Sequence, residues 1–288
     1  EHWVVATGRF ILVGMAVTLG QHERARQDAD AALAAADRCG DRWVQFQTRT
    51  PLGVSHLEVG RLEDAERELA VAGPLAEAVG ARAQLRMVRT QQAIVAMLRG
   101  DHDRAEVELT RMLADGPLHG RDVSQAMVLH ARGMNRRRAG DVRAAVTDLR
   151  EAVGVFAAVG EDVGAAEAAT ALAHAEVALG ELGAARSTLG LAVHHLGAVP
   201  GGIPVVTAIP ALHEAAAAVA LAEGDAHRAL LHLGRAAALR VADAASLSTV
   251  DGIEVERIEE AARRSIGDGA DAVFATGRGR TGLLAPID

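Results

Sequence analysis

Tyrosine is missing from this 288-residue chain, which also has only four phenylalanines, two tryptophans and one cysteine. Half of the residues are apolar, most of them alanine, leucine and valine. That composition favours close-packed helices over sheets. A single thiol, Cys39, excludes an internal disulfide framework and fits a reducing, cytoplasmic setting. It reads as a small buried side chain near a helix end. Positive charge is short: 30 Lys and Arg stand against 38 Asp and Glu, for a formal charge of −8. Such a balance argues against broad nucleic-acid contact through this segment, because phosphate binding depends on clustered basic side chains. Arg, Glu, Asp or His interrupts every apolar stretch, so no membrane span is expected.

Catalytic signatures are missing as well. There is no Walker-type phosphate loop, no Gly-x-Ser-x-Gly elbow and no His-Glu-x-x-His phrase. His194 and His195 are adjacent and diverge on a helix, and His227 and His232 lack the spacing of metal ligands. No metal, cofactor or catalytic constellation is expected, and scattered acids such as Glu66, Glu68, Glu256, Glu259 and Glu260 read as solvated faces.

What is present is a repeat. Gly20, Gly60, Gly100, Gly140, Gly180 and Gly224 are each followed five residues later by an alanine: Ala25, Ala65, Ala105, Ala145, Ala185 and Ala229. Leu69, Leu109, Leu149, Leu189 and Leu233 lie a further turn on. Seven residues before each glycine stand Val13, Gly53, Ala93, Gly133, Ala173 and Ala217; twelve after it stand Ala32, Ala72, Met112, Ala152, Ala192 and Ala236. Small residues at fixed registers, with leucines between them, mark two helices that approach closely and stack repeatedly. A second set, Gly40, Gly80, Gly120, Gly160 and Gly201, closes the second helix of each hairpin. Asp41, Asp122, Glu161 and Asp162 are placed to cap or favour the next helix start.

The expected fold is therefore all-α: a right-handed superhelix, or α-solenoid, of about six helical hairpins plus a C-terminal capping helix. The array spans 1–242, with repeats near 3–39, 42–79, 82–115, 121–159, 162–197 and 203–242. A capping-helix region is expected at 243–268 and a flexible tail at 269–288. Pro51 and Pro74 fall inside helices and should bend them. Pro200-Gly201-Gly202, with Pro204 and Pro210, marks either a longer connection or a hinge before repeat six. The chain opens at Glu1 and is helical from Trp3, which suggests a segment of a longer protein.

The order of small residue, turn glycine, alanine, large apolar residue and alanine resembles the tetratricopeptide repeat, most clearly from Leu52-Gly53 through Gly60, Ala65, Leu69 and Ala72. The forty-residue period and the junctions Cys39-Gly40-Asp41-Arg42-Trp43 and Val159-Gly160-Glu161-Asp162 are similar to the long-period repeats of large bacterial transcription activators. The LuxR/MalT-like and antibiotic-regulatory (AfsR-like) classes come closest. Leu233 to Arg240, Ala262 to Asp268 and Phe274 to Arg278 resemble the stretch that closes the repeat region in those proteins. The family's aromatic positions are mostly aliphatic here, and Gly277 to Gly282 runs into Leu283-Leu284-Ala285-Pro286 where an acidic helix commonly follows.

This resemblance implies a non-catalytic binding module, the sensor or regulatory region of a larger regulator. Its partners would be a peptide, a protein or a small effector in the concave groove, and other domains of the parent chain. A constitutive interaction or self-association scaffold, with homo-oligomers, is the alternative, as is an accessory region of a multidomain signalling enzyme. In tetratricopeptide arrays the first helix of each hairpin lines the concave face. Helical spacing then selects Gln47, Thr50, Met87, Thr90, Ile94, Met97, Met127, His130, Met134, Arg137, Glu167, Thr170 and His174. The methionines suit a groove for apolar side chains, or else fill gaps between hairpins. Arg82, Arg86, Arg89 and Arg99, with Arg132, Arg136, Arg137 and Arg138, form the local basic concentration, either an anion site or a solvated helix end.

Overall fold

The structure is a computed structural model; it describes residues 2–116, 122–199, 208–242 and 249–279. Fourteen α-helices and no strand occur among the described residues. They fall into two compact units.

The first unit holds α1 (His2–Thr18), α2 (His22–Cys39), α3 (Arg42–Glu58), α4 (Leu62–Ala78), α5 (Arg82–Leu98) and α6 (His102–Ala114). Consecutive helices pair as α1/α2, α3/α4 and α5/α6 hairpins, α2 packs on α3 and α4 on α5, and the first helices follow one another as α1, α3, α5. The second unit continues the pattern with α7 (Val123–Ala139), α8 (Val142–Ala158), α9 (Asp162–Ala178), α10 (Leu182–Ala198), α11 (Ala208–Ala222) and α12 (Ala226–Ala242). Here α7, α9 and α11 form the corresponding row. Two further helices close this unit, α13 (Thr249–Ile266) and α14 (Ala270–Gly279). Each unit is thus an α-solenoid of three hairpins, the second with two added helices.

The repeated registers are where the helices touch. All six alanines after the turn glycines are 0% exposed. Leu69, Leu109, Leu149, Leu189 and Leu233 are buried beside them, each contributing roughly 1.5–3 kcal/mol of transfer free energy. On the facing helix the small residue is a steric requirement. A Cβ on Gly53 would meet Leu69 Cγ at 2.9 Å, and one on Gly133 would meet Leu149 Cγ at 2.5 Å. The α3/α4 and α7/α8 hairpins are therefore each drawn together by a leucine lying against a backbone.

Turns follow the same economy. Gly40 ends α2 at φ +68°, and the Asp41 amide donates to the Ala36 carbonyl. The Asp41 carboxylate accepts from the Val44 amide at 3.0 Å, capping α3, and Asp122 does the same for Gln125 at 2.8 Å. Asp101, Asp141 and Asp225 accept similarly from Arg104, Ala144 and Arg228. Glu161 departs from expectation: it makes no side-chain cap on α9. Its extra methylene, relative to aspartate, moves the carboxylate away from the amides it would have to reach. Helices α3 and α4 run continuously through Pro51 and Pro74.

The C-terminal part differs from expectation at residue 270. Ala270–Gly279 is helical, where a flexible tail was expected from 269 onward. Phe274 and Val273 supply the reason, since they pack with Val255, Ile266 and Leu221 against the buried cluster of Leu230, Leu233, Ile258 and Ala262. Helices α12 and α14 then meet through reciprocal glycines. A Cβ on Gly234 would lie 2.2 Å from the Phe274 carbonyl oxygen, and one on Gly277 would lie 2.3 Å from that of Leu231. Residues 280–288, Gly120, and the Pro200–Pro204 segment read as a connection or hinge lie outside the described residues.

Cys39 also departs from the sequence reading. It is exposed, and its thiol points back to the Ala35 and Ala36 carbonyls at 3.4 and 3.5 Å. Its place on the last turn of α2 puts it beyond the packed face.

Candidate functional site

The candidate residues divide between the units, and each group stands on a row of first helices. In the first unit Gln47, Met87 and Ile94 are half-buried, whereas Thr50, Thr90 and Met97 are buried. Thr50 and Thr90 turn their hydroxyls back on their own helices, donating to the Phe46 and Arg86 carbonyls at 2.9 Å each. Such back-bonding satisfies the hydroxyl locally and leaves no donor for a ligand. Met97 is 2% exposed and belongs to the core. Arg86 donates to the Gly116 carbonyl at 2.6 Å, and Arg99 pairs with Glu66 at 2.6 Å.

In the second unit Met127, His130, Met134 and Arg137 lie at three- and four-residue spacing on α7, half-buried, and Glu167 and His174 do so on the neighbouring α9. Thr170, between them, is buried and donates to the Ala166 carbonyl at 2.8 Å. These six half-buried side chains form a strip along two adjacent first helices. Burial pushes the Glu167 carboxyl up to about 7 and the His130 imidazole down to about 4. Neither makes a hydrogen bond or ion pair among the described residues. Both are therefore held neutral near pH 6 in a partly enclosed strip.

The basic concentration is mostly consumed by structure. Every basic side chain other than histidine is an arginine, so carboxylates here meet planar forks. Arg132 grips the buried Asp148 through Nε and Nη2 at 2.8 Å each, and Arg136 adds Nη1 at 2.9 Å. That triad ties α7 to α8. Arg137 is engaged differently. Its Nη1 lies 2.8 and 3.0 Å from the two carboxylate oxygens of Glu254 on α13, and Glu254 Oε1 is 3.4 Å from His174 Nδ1. Burial alone would raise the Glu254 pKa, but His174 and Arg137 beside it hold the carboxyl well below the usual carboxylate range. The sequence reading selected Arg137 and His174 but missed Glu254. That partner is 117 residues away from Arg137 and sits on a helix outside the repeat.

Two cavities lie elsewhere. One of about 510 Å³ in the first unit is lined by His22, Arg24, Arg26, Ser55, His56 and Arg61 among others. Burial lowers the pKa of both His22 and His56, and the Arg61 charge adds to this. The other, about 270 Å³ in the second unit, lies beside Arg186, Val193, Val219 and His232. The outer face of α1 exposes Trp3, Val4, Ile11 and Met15. No group of three or more His, Cys, Asp or Glu side chains is arranged to hold a metal among the described residues. No described helix is long and apolar enough to cross a membrane.

No protein-family model and no curated protein matches the chain. Among solved structures it is similar to a tetratricopeptide repeat protein from Parabacteroides merdae ATCC 43184, with 13% sequence identity and a TM-score of 0.45. The likeness covers 95% of this chain and 98% of that one.

Proposed function

We propose that the chain is a non-catalytic, tetratricopeptide-like interaction module that holds a peptide segment of a partner along the α7/α9 strip. The observation that carries this reading is the pair Glu167 and His130. Two titratable side chains, one on α7 and one on α9, share a row of first helices with half-buried methionines, are held neutral near pH 6, and satisfy nothing in the fold. Perturbed groups without a structural partner concentrate at binding sites. No nucleophile, base and orienting group converge there among the described residues, so the strip is read as offering recognition and not bond-making. Met127 and Met134 supply adaptable apolar contact, and neutral Glu167 can donate a hydrogen bond as well as accept one.

The module would act within a larger cytoplasmic regulator, passing occupancy of the strip to other domains of the parent chain. The residues that resemble the closing stretch of bacterial transcription activators support this placement. A self-associating scaffold is the second reading, favoured by the exposed apolar side chains of α1. A random-peptide display selection on the full chain tests the first, with Met127→Ala/Met134→Ala as counter-screen. Enriched peptides should bind that variant at least tenfold more weakly. Selected peptides indifferent to the variant, or no enrichment, would reject the strip, and concentration-dependent dimers in sedimentation would then favour the scaffold.

A further inference from the structure

The strip in the second unit already holds a carboxylate, and the chain itself supplies it. Glu254 belongs to the first turns of α13, whose apolar anchors come later: Ile258 and Ala262 are buried, and Val255 and Ile266 pack beside them against the α11/α12 hairpin. Before Val255 the helix carries Gly252, a weak helix former, and Ile253, which is exposed. Of residues 252–254, Glu254 is the one that ties this turn to α7 and α9.

Its fit is incomplete. Both short contacts use one nitrogen, Arg137 Nη1, while Arg137 Nε is enclosed without an acceptor among the described residues. His174 Nδ1 is likewise enclosed, at ion-pair distance from Glu254 but without hydrogen-bond alignment. A carboxylate that approached the guanidinium square-on would take Nε and one Nη together, the stronger forked arrangement. The site therefore has unused capacity that its present occupant does not reach.

We infer that Arg137 and His174 form a carboxylate receptor, that Glu254 occupies it in cis, and that an acidic segment of a partner protein binds by displacing Glu254 and the first turn of α13. The inference rests on the reading of the α7/α9 strip as a peptide groove. The displacing segment would present Asp or Glu beside an apolar residue, as Glu254 stands between Ile253 and Val255, with the apolar neighbour meeting Met134. The later turns of α13 stay anchored through Ile258 and Ala262, so displacement frees one end of a helix and leaves the unit folded.

Two measurements on the full chain test this. Hydrogen exchange, with no peptide present, should be at least tenfold faster at amides 252–257 in Glu254→Gln and in Arg137→Gln, and unchanged at 258–266. Unchanged exchange at 252–257 would overturn the clasp, whatever the display selection returns. The second uses a fluorescein-labelled peptide of residues 251–263 added in trans. It should bind the Glu254→Gln chain at least tenfold more tightly than wild type, and the gain should vanish in Arg137→Gln/Glu254→Gln. A peptide with glutamine at position 254 should not bind. Equal binding to wild type and Glu254→Gln, or a gain that survives loss of Arg137, would overturn the receptor. His174→Gln replaces Arg137→Gln in both measurements should the latter lose helicity.

Discussion

Replacing Gly133 by alanine measures the close approach that defines these hairpins. Alanine in place of glycine inside a helix ordinarily stabilises by roughly 0.5–1 kcal/mol, through lower backbone entropy in the unfolded chain. At Gly133 the new methyl would stand 2.5 Å from Leu149 Cγ, 2.8 Å from its Cδ2 and 3.3 Å from the Ala145 carbonyl oxygen. Leu149 is 0% exposed, so it cannot move aside into solvent. Over-packing of this kind costs about 1–3 kcal/mol, so the net expectation is a loss of roughly 0.5–2 kcal/mol. Gly154, in the partner helix of the same hairpin, has nothing within 4 Å of its added methyl and should gain the full helical term. The two variants share that term, so the difference between them isolates the steric cost. Urea denaturation followed by circular dichroism, with hydrogen exchange at α7 and α8 amides to localise the effect, reads both. A Gly133→Ala chain as stable as Gly154→Ala would refute the argument. In a Leu149→Ala background the clash partner is gone, and Gly133→Ala should become stabilising.

Two further outcomes follow from buried charge. Glu167 is protonated in the native state up to about pH 7, whereas it ionises near 4.5 when unfolded, so its contribution falls by about 3 kcal/mol as pH rises through that window. His130, held down to about 4 against 6.5 unfolded, acts in the opposite sense, and stability rises with pH between those values. Between pH 4.5 and 6.5 these two contributions oppose each other, on top of the rise that the lowered His22 and His56 add. Glu167→Gln should steepen the rise of the denaturation midpoint with pH and His130→Asn should reduce it; parallel profiles for the two variants would contradict the assignment. Asp148→Asn leaves Arg132 and Arg136 without their shared counter-charge and should cost about 3 kcal/mol, seen as a lower urea midpoint.

Much of the hairpin architecture was legible because its packing rule repeats. Gly53, Ala65 and Leu69 recur in register as Gly133, Ala145 and Leu149, and each set makes the same backbone-to-leucine contact. A face seen several times can be read from spacing alone. The groove was only half legible for the opposite reason. Spacing placed Met97 on the same face as Ile94, but helical projection carries no information about how far a neighbouring hairpin covers that face, and Met97 is inside. The threonines were assigned to the groove by register, although a hydroxyl on a helix can turn to its own carbonyl four residues back. Glu254 was out of reach altogether, because α13 follows no period and its return to α7 and α9 is a tertiary event. Phe274 shows the same limit, since a short segment rich in Gly and Arg becomes helical only through the core that receives it.

The glycine-to-glycine crossing of α12 and α14 has a consequence for how such arrays change length. A stack of identical hairpins behaves like a linear polymer, each unit offering its successor the face that it received from its predecessor. At α12 that face is met by α14 at backbone contact, a distance no ordinary hairpin helix with side chains at these positions could match. The crossing works as a chain terminator in steric form. The seam between α8 and α9 carries a lighter key of the same kind, since a Cβ on Gly164 would meet the ring of Phe156 at 2.6 Å, side chain and not backbone. An extra unit placed after α12 would have to displace a helix keyed to Gly234, which makes this end of the second unit a fixed boundary.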